Sequence, residues 1–146
     1  MYQIIEYKEK YKEKAIEFWL EIYVDEYGIK EWTEGIKNTF SENSFWNLFI
    51  VIDTEDNILG TVGIKKHNNK AEIKRLCIKK ENRGQGLAKD LIKVAEEYVK
   101  KNGIKDVFLY TTKKLENAVL FYDRNGFEIV EFVNDNVIKY EKNLEI

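Results

Sequence analysis

The chain contains no proline, one cysteine, one histidine and one methionine among 146 residues. Average usage would put roughly seven prolines in a chain of this length. Together with abundant Lys, Glu, Ile and Asn, their absence reads as a compositional bias of the source and carries no functional message. Cys77 has no second cysteine to pair with, so an intrachain disulfide is excluded. With His67 as the only histidine, a zinc site would need carboxylates for its remaining ligands, unlike the usual Cys/His sets. A Ser-His-Asp or Cys-His catalytic pair would have to use that same His67, which sits among Asn and Lys in a turn-like stretch. No metal is therefore expected. No run approaches about 18 apolar residues, and Met1-Tyr2-Gln3-Ile4-Ile5-Glu6 lacks a basic segment leading into an apolar one. The expectation is a cytoplasmic protein without a membrane partner.

Charge of one sign is also missing. The 24 basic and 26 acidic residues leave a net charge of −2, which gives no bulk attraction to nucleic acid, although a local basic patch stays open. Monomer and homodimer are both left open. What is present is apolar material: 44% hydrophobic and 14% aromatic residues, more than a disordered chain carries. No Gly/Ser linker, low-complexity tract or repeat interrupts it, so residues 1–146 are expected to form one domain.

Residues 2–7 alternate as a short strand. Tyr11, Ala15, Phe18, Trp19, Ile22 and Tyr23 recur at helical spacing over residues 11–24, and a less regular helix is predicted over 31–40. Residues 48–53, 58–66 and 71–78 are β-rich and separated by polar turns, 54–57 and 67–70. Leu87, Leu91, Val94, Ala95 and Tyr98 then mark one face of a helix that ends at Asn102-Gly103. A strand over 107–112, a short helix over 116–124 stopped by Asn125-Gly126, and strands over 127–133 and 137–140 complete the chain. The predicted order is β-α-α-β-β-β-α-β-α-β-β. Three hairpin-joined strands followed by a βαβ crossover imply an α/β (α+β) fold with a mixed, mostly antiparallel sheet of about seven strands and helices on both faces.

The segment Arg83-Gly84-Gln85-Gly86-Leu87-Ala88 lies between a strand and a long amphipathic helix. Its glycines let the backbone turn tightly and approach a ligand without a Cβ in the way. The first N–H groups of the following helix lack intrahelical partners and carry the positive end of its dipole, so the turn suits a phosphate or pyrophosphate, with Arg83 adding a formal charge. It is not a Walker A loop, because no Gly-Lys-Ser/Thr follows. Nor is it the dinucleotide type Gly-x-Gly-x-x-Gly, because position 89 is Lys.

The segment resembles the acetyl-CoA loop of the GNAT (GCN5-related N-acetyltransferase) superfamily, Arg/Gln-x-x-Gly-x-Gly/Ala, in Arg83, Gly86 and Ala88. Leu76-Cys77-Ile78 before it is similar to that family's strand end. Asn117-Ala118, Phe121-Tyr122 and Gly126-Phe127 resemble the family's second signature. The resemblance implies a GNAT-like acyl-CoA N-acyltransferase fold and an acetyl-CoA-dependent N-acetyltransferase, passing acetyl from acetyl-CoA directly to a primary amine on a small molecule or peptide. It implies that pantetheine pairs with the backbone of Leu76, Cys77 and Ile78. Arg83, Gly84, Gln85, Gly86, Leu87 and Ala88 would receive the pyrophosphate, with Asn117 near the pantetheine arm and Tyr122 beside the sulfur. Glu72 matches the position at which some members carry a base carboxylate. A solvated strand residue between Lys70 and Lys74 is the other reading of Glu72.

The implied chemistry accounts for such groups. An alkylammonium with pKa about 10.4 is a free amine in roughly one molecule in a few thousand at pH 7, so a proton must leave, to a carboxylate or through water. The departing thiolate, with reference pKa about 8.5, can take a proton from a tyrosine hydroxyl. Backbone N–H groups near Ile78 can polarise the carbonyl. Cys77 reads as a small buried hydrophobe rather than a nucleophile. Lys79, Lys80, Lys89 and Arg124 are candidates to meet the 3′-phosphate or, equally, members of a solvated charged face. Over residues 24–32 acidic groups interleave with aromatics, which suits a cationic amine or an ordinary surface loop. A non-catalytic acyl-CoA-binding or sensing module, and an unrelated nucleotide-phosphate-binding domain, remain the alternatives.

Overall fold

The computed structural model describes residues 1–41 and 45–145. Seven strands form one sheet in the order β1-β2-β3-β4-β5-β7-β6. They are β1 (Tyr2–Glu6), β2 (Asn47–Asp53), β3 (Ile58–His67), β4 (Lys70–Ile78), β5 (Asp106–Thr112), β6 (Glu128–Phe132) and β7 (Val137–Asn143). The helices are α1 (Lys12–Trp19), α2 (Thr33–Lys37), α3 (Leu87–Lys101) and α4 (Glu116–Arg124). The order of elements and the mixed sheet agree with the sequence-based expectation. β4 and β5 form the one parallel pair among the described strands, and the α3 crossover that joins them returns the chain in the same direction.

The period-2 pattern of the central strands feeds two cores. Phe49 and Val51 join one core, which packs beneath Leu87, Leu91, Ala95 and Val99 of α3 and also takes in Tyr122 of α4. Leu48, Ile50 and Ile52 point the other way and pack with Ala15, Phe18 and Trp19 of α1 and Ile36 of α2. Leu87, Leu91, Ala95 and Val99 repeat every four residues, which places them along one stripe of α3. That helix stops where predicted, with Gly103 at φ 84° accepting the left-handed turn. Along β6 every residue is exposed, including Phe132 at 65%. No helix among the described residues is long and apolar enough to cross a membrane.

Two local departures shape the site. The first helix does not continue as an α-helix: residues Leu20–Glu26 wind as a π-helix, with Tyr27 N–H donating to the Ile22 carbonyl five residues back. α winding would turn Tyr27 about 140° away from Ile22, whereas the wider winding brings it nearly back over that residue. β4 and β5 also separate. They pair only at Lys70↔Asp106, Ala71↔Val107 and Glu72↔Phe108, so residues 73–78 leave their β5-facing backbone unpaired by the sheet.

Candidate active site

The opening between β4 and β5 leads into a cavity of about 440 Å³. Its walls come from four places. The β4 end supplies Leu76, Cys77 and Ile78; the turn and the start of α3 supply Asn82, Arg83, Gly84, Gly86, Leu87, Ala88 and Lys89. Leu115 and α4 contribute Asn117, Ala118, Phe121 and Tyr122, and the π-helical segment contributes Ile22, Tyr23 and, at its end, Tyr27. Most residues singled out from the motifs therefore converge on one space. Gln85, exposed on the turn, and Glu72 do not line it. Ile22, Tyr23 and Tyr27 were read from the sequence as helix-core and loop residues, because a π-winding has no pattern signal in a single sequence.

The turn is built as the glycines suggested. Gly84 and Gly86 have φ of 79° and 84°, and nothing lies within 4 Å of where a Cβ would stand on either. Gly86 caps α3, and Asp90 N–H closes the first helical bond onto the Gly86 carbonyl at 3.0 Å. The N–H groups of residues 87–89 thus remain available at the mouth of the cavity. An anion has open room beside a backbone that carries donors and the positive end of a 15-residue helix.

Arg83 does not stand free. Its Nε donates to the Ile78 carbonyl at 3.0 Å and its two terminal nitrogens donate to the Glu26 carboxylate, Nη2 to Oε1 at 2.8 Å. The guanidinium also lies over Tyr27, 5.6 Å from the ring centroid. Hydrogen bonding to Glu26 raises the Arg83 pKa further, so it is a permanent cation. Arg83 thereby straps the strand end, the turn and the π-helical segment together, a role not expected from the motif alone.

Tyr122 is buried at the cavity wall among Phe121, Phe127 and Tyr140, with ring centroids 5.5–5.7 Å away. Burial pushes its phenol well above the usual value, with the Cys77 and Tyr140 groups adding to the effect, so the hydroxyl keeps its proton throughout the neutral range. Among the described residues no side chain holds that hydroxyl in a hydrogen bond.

Glu72 lies on the paired part of β4, opposite Phe108, and its carboxylate meets His67 Nε2 at 2.8 Å. It is not brought to the cavity. Cys77 reaches the cavity, but its thiol is raised by desolvation and contacts Thr61 Oγ1 at 3.6 Å. A protonated thiol is a poor nucleophile. Cys77→Ala is expected to lower stability by about 1 kcal/mol and to keep most of the activity; a stable acetyl group trapped on Cys77 during turnover would contradict this. Of the basic candidates, Lys89 lines the cavity, Lys79 pairs with Glu81 at 3.7 Å, and Lys80 and Arg124 are exposed. No cluster of three or more potential metal ligands occurs among the described residues.

The sequence profile of the acetyltransferase (GNAT) family matches residues 6–127. A spermidine N(1)-acetyltransferase of Thermoplasma acidophilum is 29% identical over 132 residues, covering 83% of this chain and 80% of the relative. Among solved structures, a GNAT-family acetyltransferase from Staphylococcus aureus Mu50 superposes with a TM-score of 0.86 at 27% identity, covering 99% of both chains. The PaiA N-acetyltransferase of Thermoplasma acidophilum, determined in complex with coenzyme A, shares the fold with a TM-score of 0.77 at 24% identity, over 98% of this chain and 99% of that one. With the profile spanning the splayed strands, the glycine turn and the Tyr122 helix alike, the chain belongs to the acetyltransferase (GNAT) family.

Proposed function

We propose that this protein transfers an acetyl group from acetyl-CoA directly to a primary amine, in the cytoplasm, as a single domain. The observation that carries this reading is the continuity of one cavity from the unpaired edge of β4, past the Gly84–Gly86 turn, to the buried Tyr122. The residues fit the co-substrate. The free backbone over residues 73–78 offers donors and acceptors to an amide-rich arm, and the open turn at the α3 N-terminus offers N–H groups to a pyrophosphate. Asn117 stands beside the arm's path, and Lys89 adds a cation near the turn.

Bound acetyl-CoA supplies a thioester already activated for attack, so no covalent enzyme intermediate is needed. The chain's own tasks are then positional and acid–base. Backbone N–H groups at the β4 end polarise the carbonyl, and Tyr122 holds a proton for the departing sulfur. Among the described residues that line the cavity there is no carboxylate, and in this reading the amine proton leaves through water. On this geometry Glu72→Gln keeps kcat within about threefold of wild type, since a general base would cost 10²–10⁴-fold when removed. A loss of that size, with the acid limb of the pH–rate profile abolished, would return Glu72 to the base role.

Melting curves with acetyl-CoA test the cofactor reading. At about 100 times Kd the gain is roughly 2.7 kcal/mol. In a chain of this size that is a rise of roughly 5–11 °C in Tm. ATP or NAD raising Tm while CoA does not would overturn the assignment. Acetyl-CoA binding without turnover on polyamines, amino acids, aminoglycosides or peptide N-termini would point to a sensing module instead.

A further inference from the structure

Arg75 is a half-buried cation that the proposed reaction leaves unused. It precedes Leu76 and Cys77 on β4, and its backbone has φ of 54°, a left-handed conformation that a non-glycine residue in a strand seldom adopts. The register explains the conformation. Thr61 faces Cys77 and Gly63 faces Lys74, so Arg75 and Leu76 together oppose the single residue Val62. Such a bulge re-aims a side chain. It is held in place from the core: Trp19 Nε1 donates to Thr61 Oγ1 at 2.9 Å, and that hydroxyl donates to the Arg75 carbonyl at 2.6 Å. Strain held this firmly is characteristic of ligand-handling positions.

The re-aimed guanidinium lies against two aromatic faces, 5.5 Å from the Trp19 ring centroid and 5.6 Å from that of Tyr23. Tyr23 is also a wall of the cavity, so Arg75, which does not itself line the cavity, stands behind that wall. Of its five N–H donors, one at Nη2 reaches Thr39 Oγ1 at 3.3 Å, and Nε is sealed from solvent without a partner. Among the described residues no carboxylate forms an ion pair with it. The residue as a whole is half-buried, so its terminal nitrogens stay within reach of a ligand. A partly buried guanidinium with donors to spare is suited to an incoming anion.

Two acidic groups of the neighbouring segment are engaged, Glu26 by Arg83 and Glu31 by Lys114 at 3.4 Å, and the third, Asp25, is exposed and does not line the cavity. Among the described residues, those lining the cavity include Arg83 and Lys89 but no Asp or Glu. A polyamine, which would bring a second ammonium into the site, meets no carboxylate there. An acceptor that brings a carboxylate meets Arg75, whose planar fork matches that group with two parallel hydrogen bonds. Arg75 and Cys77 are two residues apart on one strand, about 7 Å between Cα atoms, which suits an amine and a carboxylate separated by a few bonds.

We propose that Arg75 receives the carboxylate of the acceptor, and that the acceptor is an amino acid or a close amino-carboxylate rather than a polyamine. This rests on the N-acetyltransferase reading given above. The test compares the twenty common L-amino acids, their carboxamides and spermidine as acceptors with acetyl-CoA. At least one free acid is expected to exceed its own amide and spermidine by about 10²-fold in kcat/KM. Arg75→Gln should lower kcat/KM for that acid by about the same factor, mainly through KM, and bring the acid-to-amide ratio close to one. Arg75→Lys, which keeps the charge and loses the fork, should fall between them and serves as the comparison if the glutamine variant does not fold.

An acetyl-CoA Kd within about twofold of wild type in either variant identifies an acceptor effect rather than a damaged fold. Spermidine or a neutral amine as the best acceptor overturns the proposal, as does an acid preference that survives both substitutions. If acetyl-CoA binds but no amine turns over, the enzyme reading fails. Calorimetric titration of the same acids and amides into CoA-saturated protein then decides the Arg75 site. Acid binding that exceeds amide binding tenfold, is lost in Arg75→Gln and is weakened in Arg75→Lys sustains it, and equal or absent binding rejects it.

Discussion

Replacing Tyr122 with phenylalanine is expected to lower kcat by about 10²–10⁴-fold wherever departure of the thiolate limits the rate. The ring is fixed by Phe121, Phe127 and Tyr140, and phenylalanine keeps those packing contacts. Acetyl-CoA affinity should therefore change little, and what is lost is the proton. The donor argument has a sign that can be checked. Burial raises the phenol's pKa, so the hydroxyl is in its donating form at every pH where the protein would be assayed. The wild-type rate should then show no alkaline limb from Tyr122 below about pH 10, the ordinary tyrosine value. Steady-state kinetics on an accepted amine, paired with a cofactor titration of the variant, reads both quantities. A variant with wild-type kcat would mean that CoA leaves unassisted or that water is the acid. Intact kcat with a large loss of affinity would make Tyr122 a binding residue only.

Gly86→Asp should weaken acetyl-CoA binding at least tenfold, more than 1.4 kcal/mol, while the protein still folds. The backbone at φ 84° has open space where the new Cβ would lie, so no neighbour is displaced. Aspartate is among the non-glycine residues that tolerate the left-handed region, and the strain is about 1–2 kcal/mol. The added carboxylate, however, stands at the N-terminus of α3, where the helix dipole and the turn's N–H groups would otherwise meet the pyrophosphate. An unchanged dissociation constant in a folded variant would remove this turn from the site. Gly86→Ala separates the two effects, since it carries the strain without the charge.

The contrast between these residues and Arg75 shows how far a single sequence reaches. The order of elements was legible because each strand and helix advertises its own period, as with Leu87, Leu91 and Ala95 along α3 or Phe49 and Val51 along β2. The glycine turn was legible because positive φ demands a residue type, and Gly84, Gly86 and Gly103 all stand where it is required. The convergence of Leu76 and Arg83 with Asn117 and Tyr122 was legible only through resemblance to a family, since residues 34–46 positions apart carry no local sign that they meet.

Tertiary structure decided the rest, for reasons that are physical. Whether Arg83 faces an anion or the Glu26 carboxylate depends on where two separate elements come to lie, and here they form an ion pair across 57 positions of sequence. The π-winding of Leu20–Glu26 replaces one hydrogen-bond register by another that is rare in helices, with Ile22 and Tyr23 packed in the core, and no residue pattern in the segment announces it. Glu72 had two readings in the sequence, a base carboxylate and a solvated strand residue, and in the fold it lies where β4 is still paired with β5, its carboxylate against His67. Arg75 reads as an ordinary strand residue until the bulge opposite Val62 turns it toward Trp19 and Tyr23. Periodicity and residue chemistry are local quantities, and one chain determines them by itself. Register slips, strand separation and the pairing of distant charges are set by the balance of contacts across the whole fold.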